Sequence, residues 1–258
     1  MNQAKPVFQD ILDLVAELPD YPAFAADQAY PVAYMSDWLA VYSSKMDLSR
    51  GFLVNRCALY WTGYSNPDGF DGQAFVDSCQ DDKGSLRQLA QILDTDLQIF
   101  ELDPHSYGSR SADELALAAS YGMMAIEEGT QLFCACSFGQ GVDDAASNAL
   151  DSLSVFNDAE DFMTRYCGLD HAAMLGSALA ATLKGIPVIL EGNSGKLVKC
   201  LIEKITGKIY NNIIVTDDMA FPLNHSVPGQ KMIMSAIILK TVYAAQMKTD
   251  CGKVKTAA

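Results

Sequence analysis

The stretch Phe133-Cys-Ala-Cys-Ser137-Phe-Gly139-Gln140-Gly141-Val-Asp143-Asp144-Ala-Ala146 decides how this chain is read. Its first residues suit a buried strand, the two glycines a tight turn, and the alanines the start of a helix. A turn of that kind points free backbone N–H groups and the positive end of a helix outward, which suits an anion such as phosphate. Yet Asp143 and Asp144 stand in the first helical positions. There they either cap that positive end or confront the anion.

Working outward, the same strand–turn–helix unit recurs. Downstream, residues 170–183 form an alanine-rich helical pattern, 185–190 a buried strand, 196–205 a helix, 212–215 a strand and 230–245 a closing helix. Upstream, Ser111 with Glu114 three residues on is a capping box opening a helix over 111–128. Before it come strands over 56–61 and 97–102, with one helical pattern over 75–93 between them. Residues 6–18 and 32–46 read as helices separated by a proline-bounded break. Strands alternating with helices predict an α/β fold, a parallel sheet with helices on both faces in a Rossmann-like three-layer arrangement. The expected division is a small helical lobe over 1–50 and an α/β domain over 51–258.

Composition narrows the function. Half of the 258 residues are hydrophobic, enough for a large core, and no run approaches the length of a membrane span. Residues 1–10 lack the pattern of a secretory signal, so a cytoplasmic protein is expected. The net charge of −14, from 32 acids against 18 bases, disfavours nucleic-acid backbones and anionic membranes. A small molecule or another protein remains as partner. Seven cysteines (57, 79, 134, 136, 167, 200 and 251) show neither disulfide nor zinc spacing and read as small buried hydrophobes. No cofactor is implied.

In parallel sheets of this kind ligands sit beyond the carboxyl ends of the strands. Gly139-Gln140-Gly141 is half of a dinucleotide fingerprint; the third glycine falls on Asp144, which argues against NAD. Glu191-Gly192-Asn193-Ser194-Gly195-Lys196 also follows a strand and opens a helix, but Leu197 stands where a nucleotide loop needs Ser or Thr for magnesium. Its amides and Lys196 make either a modest anion cradle or a tight turn with an exposed lysine. Asp103, Asp143, Asp144, Glu191, Asp217 and Asp218 could alternatively gather around a hard cation, although no spacing within one segment specifies a metal. His105 and His171 have no cysteine or serine placed to suggest a triad, although spacing alone leaves one open, and His225 reads as a turn residue.

In order, these segments resemble the nicotinate-nucleotide:dimethylbenzimidazole phosphoribosyltransferases. Leu169-Asp-His-Ala-Ala-Met174-Leu-Gly176-Ser-Ala and Lys184-Gly-Ile-Pro187-Val-Ile-Leu190-Glu191-Gly192 are similar to a family helix and strand ending "R-I-P-V-I-L-D-G-F". Gly139 and Gly141 fall on the glycines of "G-E-M-G-I-G-N-T-T". The resemblance implies transfer of ribose phosphate from nicotinate mononucleotide to a benzimidazole-type base, as in making the lower ligand of cobamides, by a homodimer. It implies Ser137, Gly139, Gln140, Gly141, Gly192 and Ser194 around the phosphate, and Asp250 as general base, in place of a family glutamate. The departures lie at the chemistry: Ser137 replaces the glutamate of "G-E-M-G", and Val142-Asp143-Asp144 replaces "N-T-T". A transferase with an altered acceptor, a catalytically silent relative acting as a binding or partner subunit, and a metal-dependent enzyme using the strand-end acids are the three readings this leaves.

Overall fold

A computed structural model describes residues 6–22, 37–38, 41, 55–63, 72–92, 94–103, 109–216 and 228–239. The expected helix over 32–46, and Asp250, His105, Asp217, Asp218 and His225, fall wholly or largely outside these residues.

Among the described residues five strands form one parallel sheet: β1 (Asn55–Trp61), β2 (Thr95–Glu101), β3 (Leu132–Phe138), β4 (Val188–Leu190) and β5 (Ile213–Val215), in the order β2-β1-β3-β4-β5. The α/β class expected from the alternation is therefore the one observed. Every residue of β3 except Ser137 is buried, as a central strand covered on both faces requires. The helices are α1 (Phe8–Ala16), α2 (Gly72–Gln80), α3 (Ser85–Ile92), α4 (Ala112–Met124), α5 (Val142–Ser152), α6 (Ala159–Tyr166), α7 (Leu169–Leu183), α8 (Gly192–Thr206) and α9 (residues 230–239).

Strand alternation sorts the core into two layers. Ala58, Tyr60, Phe133, Ala135, Val188 and Leu190 point to one face, under helices α1 and α4 to α8. Cys57, Leu59, Trp61, Cys134, Cys136, Phe138 and Ile189 point to the other, under α2, α3 and α9. Cys134 and Cys136 are thus core residues of one face, and burial pushes the Cys134 thiol up. The alanine-rich α7 is buried except at Leu169, Ala180 and Leu183, because it packs backbone to backbone on α4. A β-carbon on Gly122 would lie 1.8 Å from the Ala173 carbonyl oxygen, and one on Gly176 2.0 Å from that of Ala119. Small residues at that seam are a steric requirement.

Three expectations change. The helical pattern over 75–93 is two helices, α2 and α3, broken by a turn at Gly84, whose β-carbon would sit 1.6 Å from the Ser78 carbonyl oxygen. Helix α6 was not anticipated; it is started by Asp158, whose carboxylate accepts from the Asp161 amide at 2.7 Å. Finally, α8 begins at Gly192, not at Lys196, so Gly192 to Gly195 are its first turn and not a loop. Ser111 and Glu114 form the capping box that the sequence announced.

Candidate functional site

The strand order places β1 beside β3 while the chain runs outward in opposite directions from them, to β2 on one side and to β4 and β5 on the other. That switch point lies at the carboxyl ends of the two strands, the usual ligand position in open α/β sheets. Thr62 and Gly63 follow β1 on one side, and Gly139 to Gly141 follow β3 on the other. The two sides touch at Gly139. Its φ is +141°, and a β-carbon there would lie 1.6 Å from the Thr62 carbonyl oxygen. The Thr62 amide donates to the Phe138 carbonyl at 3.1 Å, and its hydroxyl to that of Leu102 at 3.3 Å, so the turn rests on the joined ends of β1, β2 and β3.

Next to this turn, two helices begin side by side. Helix α5 starts after Gly141, whose φ of 75° makes it a left-handed cap residue with no side chain to offer. Helix α8 starts after Glu191, whose side chain does not cap it. Asn193 donates to Ser147 at 3.1 Å and ties the first turn of α8 to α5. The result is a pair of adjacent helix N-termini, uncapped by their cap side chains, at the carboxyl edge of β3 and β4. Asp143 and Asp144 are both exposed in the first turn of α5, and an Asp143 carboxylate oxygen lies 4.0 Å from the place a β-carbon on Gly192 would occupy. Asp143 therefore reaches toward the first turn of α8 from the first turn of α5, and is not the N-cap residue.

Ser137, near the end of β3, places its hydroxyl in the interior with no hydrogen-bond partner among the described residues. Gln140 and Gly141 are half-buried on the turn. Lys196 is exposed. Ser194 is 2% exposed, and its hydroxyl faces inward to His171, so only its backbone amide faces the helix start.

Two buried groups that the sequence offers as site candidates have structural partners instead. Glu191 turns away from the site to accept from the amides of Gly229 (3.1 Å) and Met232 (2.7 Å), capping α9 across the sheet. His171 lies 3.1 Å from Ser194 through Nε2, with Asp170 Oδ2 3.7 Å from the same nitrogen. The Gly168 amide donates to Nδ1 at 3.3 Å, which makes Nδ1 the unprotonated nitrogen and leaves Nε2–H to donate to Ser194. A nucleophilic triad needs the opposite polarity, with the serine giving its proton to the ring. The pair fastens the first turn of α8 to α7. No sequence rule links residues 23 positions apart.

Burial, opposed by Asp170, holds the His171 pKa below its ordinary 6.5. Above that pH neither the folded nor the unfolded chain is protonated there, and the neutral ring contributes fully. As pH falls through 6.5 the unfolded chain gains a proton that the folded chain refuses, so stability drops by up to about 1.4 kcal/mol per pH unit until the folded value is reached. Urea titrations at about pH 7.5 and 5.5 should show this loss, and His171→Gln should flatten it. Equal losses in both proteins would mean the ring is not held neutral.

Among the described strand-end acids, Asp103, Asp143, Asp144 and Glu191, none joins a metal-binding group. Among the described residues no three His, Cys, Asp or Glu side chains group at metal-binding distance. Asp103 pairs with Arg110 at 3.3 Å, and Glu191 serves α9. A cavity of about 400 Å³ between α1, α6 and the far end of α8 lies away from the strand ends, lined by Leu12, Phe156, Phe162 and Lys204 among others. No described helix is long and apolar enough to cross a membrane.

A five-stranded parallel sheet in this order, covered on both faces, is an open α/β fold, a class whose ligands commonly lie at the switch point. The chain's fold is that of the nicotinate-nucleotide–dimethylbenzimidazole phosphoribosyltransferases. The solved structures it matches include that of such an enzyme from Thermus thermophilus (TM-score 0.65, 14% identity, 92% of this chain and 94% of that one) and that of CobT from the same organism (TM-score 0.66, 13% identity, the same coverage). No family model and no curated protein matches the chain in sequence. What is shared at such identity is the fold.

Proposed function

We propose that this chain is a divergent phosphoribosyltransferase-like protein that holds a mononucleotide of the nicotinate mononucleotide class and passes its ribose phosphate to an aromatic base. The observation that carries the reading is the pair of adjacent helix starts, α5 and α8, neither capped by its own cap side chain, beside the switch point. Backbone amides of Gly139, Gln140, Gly141, Gly192 and Ser194 supply the anion cradle, with the Ser137 hydroxyl beneath it. Asp250 is the base that takes the proton of the incoming nitrogen heterocycle, and the working unit is a homodimer. Isothermal titration with nicotinate mononucleotide should show binding, and incubation with 5,6-dimethylbenzimidazole should release nicotinate. Asp250→Asn should stop the release and leave mononucleotide binding intact. Absence of any mononucleotide binding overturns the proposal.

One observation favours the silent-relative reading. An Asp143 carboxylate oxygen lies 4.0 Å from the place a β-carbon on Gly192 would occupy, which sets a negative charge beside the proposed cradle. At about 4–6 Å, and with an effective dielectric near 20–40, each carboxylate charge opposes a phosphate charge by roughly 1–4 kcal/mol. Exposure to salt lowers this further. Asp143→Asn is therefore expected to raise mononucleotide affinity about tenfold. Unchanged affinity would mean that Asp143 turns away once the ligand is bound.

A further inference from the structure

Helix α4 carries an exposed seam that none of the other described elements covers. Glu114, Leu117, Tyr121, Met124 and Glu128 follow one another at alternating spacings of three and four along its outer face and the turn after it. Leu117, Tyr121 and Met124 are 43%, 48% and 71% exposed. That is the spacing of a coiled-coil seam, on a helix whose opposite face is fixed to α7. Beside it lies a depression of about 200 Å³, floored by Leu102, Ala118 and Leu169 and walled by Leu117 and Tyr121.

The rim is acidic. Glu101, Asp103 and Glu114 edge the depression, and Asp113 and Glu128 flank the seam. Among the described residues Glu101, Asp113 and Glu128 make no ion pair. The nearby cations are already committed: Arg110 to Asp103, Arg56 to Asp96 and Glu127, and Lys184 to the Ile126 carbonyl. A second copy of this chain fits poorly. Antiparallel pairing of two such seams sets Glu114 against Glu128, parallel pairing sets Glu114 against Glu114, and each copy carries a net charge of −14.

We propose that the α4 seam docks an amphipathic helix of another protein, one with aliphatic residues at heptad spacing and lysine or arginine on its flanks. Such a helix places its apolar residues between Leu117, Tyr121 and Met124, sends one side chain into the depression, and sets its cations against the acidic rim. The surface lies on the sheet face opposite α9 and does not use the helix starts of α5 and α8, so the proposal stands or falls apart from the phosphoribosyltransferase reading.

The test uses a fluorescein-labelled synthetic peptide of three heptads, with leucine at the seam positions and lysine beside them, in fluorescence anisotropy at near-physiological salt. Two control peptides have the same composition scrambled, or glutamate in place of the flanking lysine. The expected result is saturable binding of the lysine-flanked helix, at least about tenfold weaker binding of both controls, and at least about a tenfold loss in Tyr121→Ser and Met124→Ser. Both substitutions are at exposed positions, and circular dichroism checks that the variants stay folded. Three outcomes overturn the proposal: no binding up to about millimolar peptide, whether because nothing docks or because another part of the chain covers the seam; equal binding by the variants or by the glutamate-flanked helix; or self-association by sedimentation that Tyr121→Ser abolishes, which gives the seam to a second copy.

Discussion

Gly139→Ala is expected to destabilise the protein by about 2–6 kcal/mol and to abolish the mononucleotide binding proposed for this site. Two costs add. A φ of +141° is outside the range that side chains tolerate, worth about 1–3 kcal/mol. The new β-carbon would also lie 1.6 Å from the Thr62 carbonyl oxygen and 2.8 Å from its carbon. Those are backbone atoms, held by hydrogen bonds to Phe138 and Leu102, so nothing flexible can yield. Forcing the strand ends apart adds about 1–3 kcal/mol. In a chain of this size the sum lowers the thermal midpoint by roughly 10 °C. Gly207→Ala is the control: Gly207 ends α8 at φ +69° with no atom within 4 Å, so it isolates the backbone term, about 1 kcal/mol. Equal midpoints for the two variants would show that the turn does not rest on Thr62.

This contrast also marks where the sequence is legible. Gly139 and Gly141 announce a strand–turn–helix unit, because positive φ leaves glycine as the cheap solution. The capping box at Ser111 and Glu114, and the small residues of α7 against α4, are read by equally local rules. What such rules do not reach is partner choice across the fold. Helix α6 buries only Phe162 and Met163, too few for a periodic signal, and its start depends on Asp158 capping. His171 and Ser194 meet only because α7 lies beside the start of α8. The proposed cradle depends on where Asp143 stands relative to Gly192, a relation between two helices 49 residues apart at those positions that neither segment encodes alone.

Glu191 shows the same limit with the larger consequence. From its place at the end of β4 it reads as an acid ready for a ligand or cation, yet its carboxylate is spent on the amides of Gly229 and Met232, 38 and 41 residues later. At 6% exposure water cannot replace it. Glu191→Ala leaves two buried donors at the start of α9 unsatisfied, and each charge-assisted bond is worth about 1.5–3 kcal/mol. The expected loss is about 3–6 kcal/mol, concentrated at α9. Because α9 supplies Met232, Ile233, Ala236 and Leu239 to the second core layer, its release exposes that face of β1, β3 and β4. Hydrogen exchange should show the Gly229 and Met232 amides losing protection well before those of α4 and α7. Glu191→Gln keeps the volume and one acceptor but turns an NH₂ toward one of the two amides, so it should cost about half as much. The comparison separates a cap from a ligand: a cation ligand would lose cation-dependent activity on either substitution while the fold and the protection at α9 stayed as they were. A cap loses α9 first, in proportion to the acceptors removed, whether or not any cation or nucleotide is present.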